Sequence, residues 1–314
     1  MNKLIKSRNV PDEPAESVAC ALCGGRDERR LFPARDKMFP GRERFSAVRC
    51  RRCGLVYLNP RPSPQSHAAA YGRRYFFSAE NADQAQPVEH YWPVVRFLEE
   101  QEEPGRLLDI GTGNSPFLPL MRERGWQVAG TEVDASLVQY FRQQHGIGLH
   151  CGELQDAGLE GGSFDAVTIM GVLEHVSDPL SLLEEADRIL ARGGVIGLWC
   201  FNRSIEARLL GRFWLGFDAP RHLYSFSRRT LEQLLERAGF AVEQVYFRPV
   251  NYLAYSGMWA AARMRDRLSG SGRPVYVPRL PALLEKLSLP LGVALARSGA
   301  SSNMYVLARK RNQQ

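Results

Sequence analysis

Four cysteines stand in two pairs, Cys20-x2-Cys23 and Cys50-x2-Cys53, with 26 residues between Cys23 and Cys50. A glycine follows each pair, Gly24 and Gly54. The two-residue gap lets both thiolates of a knuckle reach one ion, and the glycine relieves the backbone where its amides turn towards sulfur. Two knuckles supply four thiolates, the closed tetrahedral shell of a structural zinc ion (Zn2+). Arg49, Arg51 and Arg52 lie beside the second knuckle, where their charge offsets a dianionic tetrathiolate. A closed shell leaves no position for chemistry. The metal is therefore expected to stabilise a ribbon of about 40 residues too small to stand on its own core. An empty or redox-active set is the alternative. Cys151 and Cys200 are expected to be ordinary buried cysteines on or near strands.

A second stretch, "RLLDIGTGNSPF" at 106–117, points to a bound small molecule. Leu107, Leu108 and Ile110 form a short apolar run after Pro104-Gly105, the pattern of a buried parallel strand. Gly111 and Gly113 permit a tight turn and close approach of a ligand to the backbone. Ser115 as N-cap and Pro116 at the first helical position predict a helix start. Strand, glycine turn and helix N-terminus together make a cofactor site on an open α/β sheet. A dinucleotide fingerprint needs a third glycine at 116, where this chain has proline. A tight turn without ligand is the bland alternative.

The elements that must position these residues follow from the rest of the chain. Its 314 residues suffice for one large α/β domain and a small one. The N-terminal residues carry no apolar core of signal-peptide length, so a cytoplasmic protein is expected. No apolar run reaches the roughly 18 residues of a membrane span. The net charge of +7 is unevenly placed. Residues 1–60 carry 13 basic and 7 acidic side chains, residues 61–247 carry 17 and 25, and residues 248–314 carry 11 and 2. An acidic core between basic flanks is compatible with nucleic acid, anionic lipid, a phosphorylated substrate or simply a solvated face.

After the proline-rich "LNPRPSPQS", residues 66–103 read as helical and aromatic, with Tyr71, Tyr75, Phe76, Phe77, Tyr91 and Trp92, either a cap over the core or packing onto the sheet. From 105, strands are predicted at 106–111, 127–132, 147–151, 164–170, 194–200, 241–247 and 302–309. Helices are predicted at 116–125, 135–145, 179–191 and 228–238. Such alternation implies a mostly parallel sheet covered on both faces. Glu132, 21 residues after Gly111, ends the second strand, where an acid faces ribose hydroxyls in either a dinucleotide or an adenosyl site. Residues 1–60 are thus expected to form the ribbon, 61–104 a helical linker or cap, and 105–314 the α/β domain with a helical insertion at 251–300.

Residues 105–202 resemble class I S-adenosylmethionine-dependent methyltransferases. "LLDIGTGN" matches the first motif, "GTEVD" the second, "GELQD" the adenine loop, "SFDAV…GVLEHVSDP" the fourth strand and its exit, and "LARGG" the turn before strand five. The likeness extends to "APRHLYSFSRRTLEQLLERAGF" and "NMYVLARK". With the knuckles, the pattern is most similar to zinc-ribbon methyltransferases acting on sugars, glycans and secondary metabolites. The resemblance implies a Rossmann-like α/β fold with a seven-stranded, mostly parallel sheet and a small N-terminal zinc-ribbon domain. It implies S-adenosyl-L-methionine as cofactor. Asp109, Gly111 and Gly113 would line its methionine and ribose portions, Glu132 would take the ribose hydroxyls, and Val133 would flank the adenine. Glu153 and Leu154 would meet the adenine edge and face, and Met170 and Gly171 would border the transferred methyl. An acidic core suits a sulfonium cation, and no pyrophosphate needs the missing glycine.

Methyl transfer to a hydroxyl needs alignment, desolvation and a general base, most often histidine. His175, in "LEHVSDP", follows strand four at the carboxyl end of the sheet. His222, in "DAPRHLYSFS", lies on the loop after strand five. Both are candidate bases, with helix capping or packing as the competing roles. Glu174 could orient a histidine or hold substrate. Asp178-Pro179 reads as a helix start, and His67, His90, His145 and His150 have no comparable context. The insertion holds two amphipathic stretches with Arg263, Arg265 and Arg267, compatible with peripheral membrane contact, a substrate cap or a dimer contact. The expected activity is methylation, at oxygen, of a sugar, glycan or related small molecule. Carbon methylation of a nucleotide-linked sugar, RNA methylation and a non-catalytic binding module are the alternatives. Nucleic acid is disfavoured because the ribbon lacks an aromatic stacking platform. Oligomeric state is not legible.

Overall fold

The computed structural model describes residues 15–37, 45–69, 86–101, 103–250, 252–269 and 281–311. The aromatic residues Tyr71, Tyr75, Phe76 and Phe77 of the expected cap lie outside them.

Thirteen strands are found among the described residues. The N-terminal part contains β1 (Ala15–Glu16), β2 (Glu28–Ala34), β3 (Phe45–Cys50), β4 (Val56–Leu58) and β5 (Arg61–Pro62), then α1 (Pro64–Ala69) and α2 (Trp92–Gln101). The alternating part follows as β6 (Arg106–Ile110), α3 (Phe117–Glu123), β7 (Gln127–Glu132), α4 (Ala135–His145), β8 (Leu149–Cys151), β9 (Phe164–Met170), α5 (Pro179–Ile189) and β10 (Leu190–Phe201). It continues with α6 (Ile205–Leu210), β11 (Tyr224–Ser225), α7 (Arg228–Arg237), β12 (Phe240–Arg248), α8 (Tyr252–Ser269), α9 (Ala282–Arg297) and β13 (Asn303–Lys310).

The main sheet has seven strands in the order β12-β13-β10-β9-β6-β7-β8. All neighbours are parallel except β13, which runs antiparallel to β10 and β12. The strand order reverses beside β6, and in such sheets ligands bind at the carboxyl ends next to that reversal. Side chains of one strand alternate between the two faces. Leu108, Ile110, Val167 and Ile196 join one core with α5 and α7. Leu107, Ala166 and Val195 join the other with α2, α3 and α4. Both faces being covered explains why these strands read as unbroken apolar runs.

The smaller sheet has the order β11-β4-β3-β2. Three strands come from the cysteine-bearing segment and the fourth from the loop that carries His222. Tyr224 pairs with Tyr57 and Ser225 with Val56. Cys20, Leu22, Val48 and Tyr57 belong to the same apolar core as α5 and α7.

Two expectations are corrected. Pro116, not Ser115, occupies the N-cap of α3, which begins at Phe117. Ser115 Oγ still accepts from the Phe117 amide at 3.0 Å, so it supplies the missing partner from one residue further out. Cys200 is buried as expected, but Cys151 is exposed at the last residue of the edge strand β8. The Asp178-Pro179 start of α5 is present, with Asp178 Oδ1 accepting from the Leu180 and Ser181 amides. Helices α8 and α9 fill the β12–β13 connection. They leave Met264, Leu268, Leu283 and Leu287 exposed. Among the described residues no helix is long and apolar enough to cross a membrane.

Candidate active site

The glycine turn sits between β6 and α3, where backbone sterics dictate residue type. Gly111 has φ +67°, and a Cβ there would lie 2.6 Å from a methyl of Val172. Conformation and space both demand glycine. The same contact seats the segment after β9 directly beside the turn. Gly113 has φ +61°, and a Cβ there would meet nothing nearer than the Gly111 carbonyl at 4.0 Å. The backbone is therefore open to a ligand on that side.

Glu132, the last residue of β7, is buried. Its Oε2 accepts from the Gly113 amide at 2.8 Å and its Oε1 from the Asp134 amide at 2.9 Å. These two bonds clamp the carboxylate and leave further lone pairs on both oxygens, the acceptor set that a vicinal diol needs. Burial raises its pKa, against the lowering effect of those amides. The next residue, Val133, is 69% exposed, an apolar side chain left bare beside a buried acid. Glu153 is exposed and leads into a short 3-10 turn, while Leu154 is buried in the core.

Asp109 projects from the middle of β6 and accepts from Thr168 Oγ1 on β9 at 2.7 Å. Burial pushes its pKa up to about 7, the Thr168 bond working the other way. No salt-bridge partner of Asp109 occurs among the described residues, so a cationic ligand at this point would supply the missing counter-charge. On the other side of the turn, Met170 ends β9 half-buried, and Gly171 has φ +73°. A Cβ on Gly171 would lie 2.4 Å from the Trp199 ring. The backbone thus passes flush against an indole, whose Nε1 donates to Asn303 Oδ1 at 2.8 Å.

Beyond Gly171 the chain brings Glu174, His175 and His222 together. One ligand-type atom from each lies within 4.8 Å of the others. The imidazole rings of His175 and His222 are 4.6 Å apart and edge-to-face. Glu174 is buried, and among the described residues its Oε2 has no hydrogen-bond partner. Burial raises the Glu174 carboxyl to about 7. Burial pushes His175 well below the usual imidazole value, helped by His222, and takes His222 down to about 4. Both rings are neutral at pH 7. Phe201, at the end of β10, lies 5.7 Å from His222 and continues to Trp199 at 5.3 Å and Tyr252 at 5.4 Å. This aromatic wall suits a flat ring or a sugar face.

The His222 loop is tied down by ions. Arg221 is fully buried and pairs with Asp218 at 2.7 Å and with Asp36, from the end of the β2 segment, at 2.9 Å. Lys37 Nζ donates to the Trp214 and Phe217 carbonyls. Two residues without sequence context prove to be engaged. His67 Nε2 contacts the Arg221 carbonyl at 2.9 Å. His90 is buried between Trp199, Tyr305 and Arg248. Their partners lie more than a hundred residues away, so no local signal could have marked them.

The four knuckle cysteines converge, with Cys20 Sγ and Cys53 Sγ 3.4 Å apart and Cys23 Sγ and Cys50 Sγ 3.5 Å apart. Four sulfurs at about 2.3 Å from one ion would be about 3.8 Å apart, so the arrangement fits a tetrahedral ion. Burial raises the Cys50 thiol, but the Cys53 and Arg52 amides outweigh it and bring the pKa down to about 7. Burial raises the Cys20 thiol and takes Cys53 up to about 11, so an ion bound by the four would displace protons from them.

Comparison with known proteins agrees with this geometry. A family model described as a methyltransferase domain matches residues 92–245. A ubiquinone biosynthesis O-methyltransferase of Xanthomonas oryzae pv. oryzae is 32% identical over 180 residues, 48% of this chain and 75% of that protein. The protein of the same name from Xanthomonas axonopodis pv. citri is 30% identical over 208 residues, 56% of this chain and 87% of that protein. Among solved structures, a phosphoethanolamine N-methyltransferase 2 of Haemonchus contortus, in complex with S-adenosylhomocysteine, has a TM-score of 0.53 at 15% identity. That match covers 82% of this chain and 63% of that one, and shows the fold alone. The clamped acid at the end of β7, the open glycine turn and the uncompensated carboxyl of Asp109 fit an adenosyl cofactor with a cationic centre. The chain belongs to the class I S-adenosylmethionine-dependent methyltransferases.

Proposed function

We propose that the enzyme methylates a hydroxyl oxygen of a small, ring-bearing acceptor. The observation that carries this is the Glu174–His175–His222 cluster, set next to the glycine turn through the Gly111–Val172 contact. S-adenosyl-L-methionine supplies an electrophilic methyl on a sulfonium, which leaves as a neutral thioether. Glu132 binds the ribose diol with Gly113 opening the way for it, the exposed Val133 flanks the adenine, Glu153 meets its edge, and Leu154 supports that loop from the core. Asp109 faces the cationic methionine portion, and Met170 with Gly171 borders the methyl. His175 and His222 line the acceptor hydroxyl's position, and its proton passes through the cluster to water as oxygen attacks carbon. Phe201, Trp199 and Tyr252 stack the acceptor ring and exclude water. Alignment and desolvation of this kind are worth roughly 7–11 kcal/mol.

The likeness to ubiquinone biosynthesis O-methyltransferases favours oxygen over carbon or nitrogen. A sugar or glycan hydroxyl and a phenolic hydroxyl share the chemistry the cluster provides. We further read the four cysteines as a structural zinc site. The test uses the full chain, methyl-labelled cofactor and three acceptor sets: sugars and glycans, phenols, and bulk RNA. Label in an ether of one of the first two sets is expected, and label only in RNA, or only on carbon or nitrogen, overturns the reading. Glu132→Ala is expected to weaken cofactor binding by at least about a hundredfold, read by calorimetry. His222→Ala is expected to lower turnover about a hundredfold or more with cofactor affinity retained. Full activity in that variant removes His222 from the site.

A further inference from the structure

The acceptor cluster contains a buried group that the surrounding protein does not satisfy. Among the described residues Glu174 Oε2 has no hydrogen-bond partner, in a residue only 3% exposed. Leaving a buried carboxylate oxygen unpaired costs a few kcal/mol unless something else meets it. Nor does the neighbourhood supply charge. The ions around the His222 loop are Asp36, Asp218, Arg221 and Lys37, two acids and two bases already engaged with one another or with carbonyls. They sum to zero, and among the described residues Glu174 has no counter-ion.

The histidines carry a second, independent sign. His175 Nδ1 faces the Arg221 carbonyl at 3.2 Å, and His222 Nδ1 faces the Gly216 carbonyl at 3.3 Å. A ring whose Nδ1–H donates to a backbone carbonyl presents its Nε2 lone pair outward, the tautomer and orientation that metal-bound histidines adopt. His222 Nδ1 also lies 3.1 Å from the Asp218 amide, a contact that the opposite tautomer would use. Because an amide N–H only donates, that bond makes His222 Nδ1 the acceptor in the ion-free chain; His175 carries the tautomer sign, and an ion on His222 Nε2 would displace the Asp218 amide. With the three ligand-type atoms already within 4.8 Å of one another, side-chain closure of about an ångström brings them to the separations of a tetrahedral ion.

We propose that Glu174, His175 and His222 form a second metal site, for a divalent cation of the zinc class, with an open position for the acceptor's oxygen. Two imidazoles and one carboxylate are the donor set that suits Zn2+, Co2+ or Fe2+ and disfavours Mg2+ and Ca2+, which take oxygen ligands. Three protein ligands leave a fourth position, unlike the closed shell of four cysteines. The inference rests on the proposed role of the cluster as the acceptor's site, and it names how the cluster acidifies a hydroxyl. A cation here meets the orphaned Glu174 oxygen and supplies the absent positive charge.

The test separates the two sites by stoichiometry and by colour. Wild-type chain purified without chelator is expected to hold about two zinc equivalents by elemental analysis, and Glu174→Gln and His222→Ala about one each. Chain stripped of its weaker ion and titrated with Co2+ is expected to gain a visible ligand-field band without the sulfur-to-cobalt charge transfer of a thiolate site. Both variants should lack that band while still binding cofactor, which certifies their fold. About one equivalent in the wild type, with no new cobalt band, overturns the metal site. That result leaves the methyl-transfer reading intact, because labelled-ether formation is scored separately. Loss of ether formation from a chain holding two equivalents would instead overturn the acceptor reading and leave the metal site standing.

Discussion

At the scale of single residues, the buried carboxyl of Asp109 makes a pH prediction. Its pKa stands at about 7 in the folded chain against about 4 in an unfolded one. A carboxyl raised on folding contributes stability that is complete below pH 4 and is lost as pH rises through 7. In cofactor-free protein, Asp109→Asn is therefore expected to be more stable than wild type at pH 8 and not at pH 4. Melting temperature against pH reads this, and an unchanged difference across that range contradicts it. The same variant should bind the cationic cofactor more weakly. Glycine and acid at Gly111, Gly113 and Glu132 were legible in sequence because local sterics and a fixed spacing force their type. The meeting of His175 with His222, 47 residues apart, was not. Each could be placed at the carboxyl edge of the sheet, but no local pattern fixes the angle of the second loop. Glu174 was legible as a polar neighbour and illegible as an orphan, because an unmet oxygen is a property of everything packed around it.

At the scale of elements, the main-sheet strands were legible because their central members are buried on both faces, with β6, β8 and β9 closed by Gly111, Gly152 and Gly171 and β12 by Pro249. β7 and β9 lie where the sequence placed them. The two-residue strand β11 was not legible, since its identity depends on pairing with β4, well over a hundred residues earlier. The clasp beside it is Arg221 with Asp36 and Asp218, and it joins the β2 segment to the His222 loop. Arg221→Met is expected to remove the buried cation that bridges these two acids and to destabilise the chain by about 3–5 kcal/mol. Chemical denaturation measures this. Turnover should fall further than cofactor affinity, because the loop that moves carries His222 and not Glu132. An unchanged midpoint would show that the clasp contributes nothing to the fold.

At the scale of the whole molecule, the cysteine-bearing segment shares one apolar core with the methyltransferase sheet and one four-stranded sheet with the His222 loop. The sequence placed the metal knuckles but not this joint, because charge and spacing describe the ribbon's interior and not the face it turns to its neighbour. With zinc held as proposed, Cys50→Ser is expected to abolish that site and loosen β3 and β4. Because β4 carries β11, the acceptor side should suffer with it: zinc content and thermal stability fall, turnover falls, and cofactor affinity changes least. A variant that loses its zinc yet keeps full turnover would separate the ribbon from catalysis.

The pairing of Tyr57 with Tyr224 and of Val56 with Ser225 also bears on engineering and inheritance. A chimera that exchanges residues 15–62 alone would import a foreign border strand against a native partner. The transplantable unit is discontinuous and must carry 219–227 along. Within lineages of this architecture, drift on one side of that seam should be answered by drift on the other, so preference for one acceptor over another is expected to travel with both pieces together.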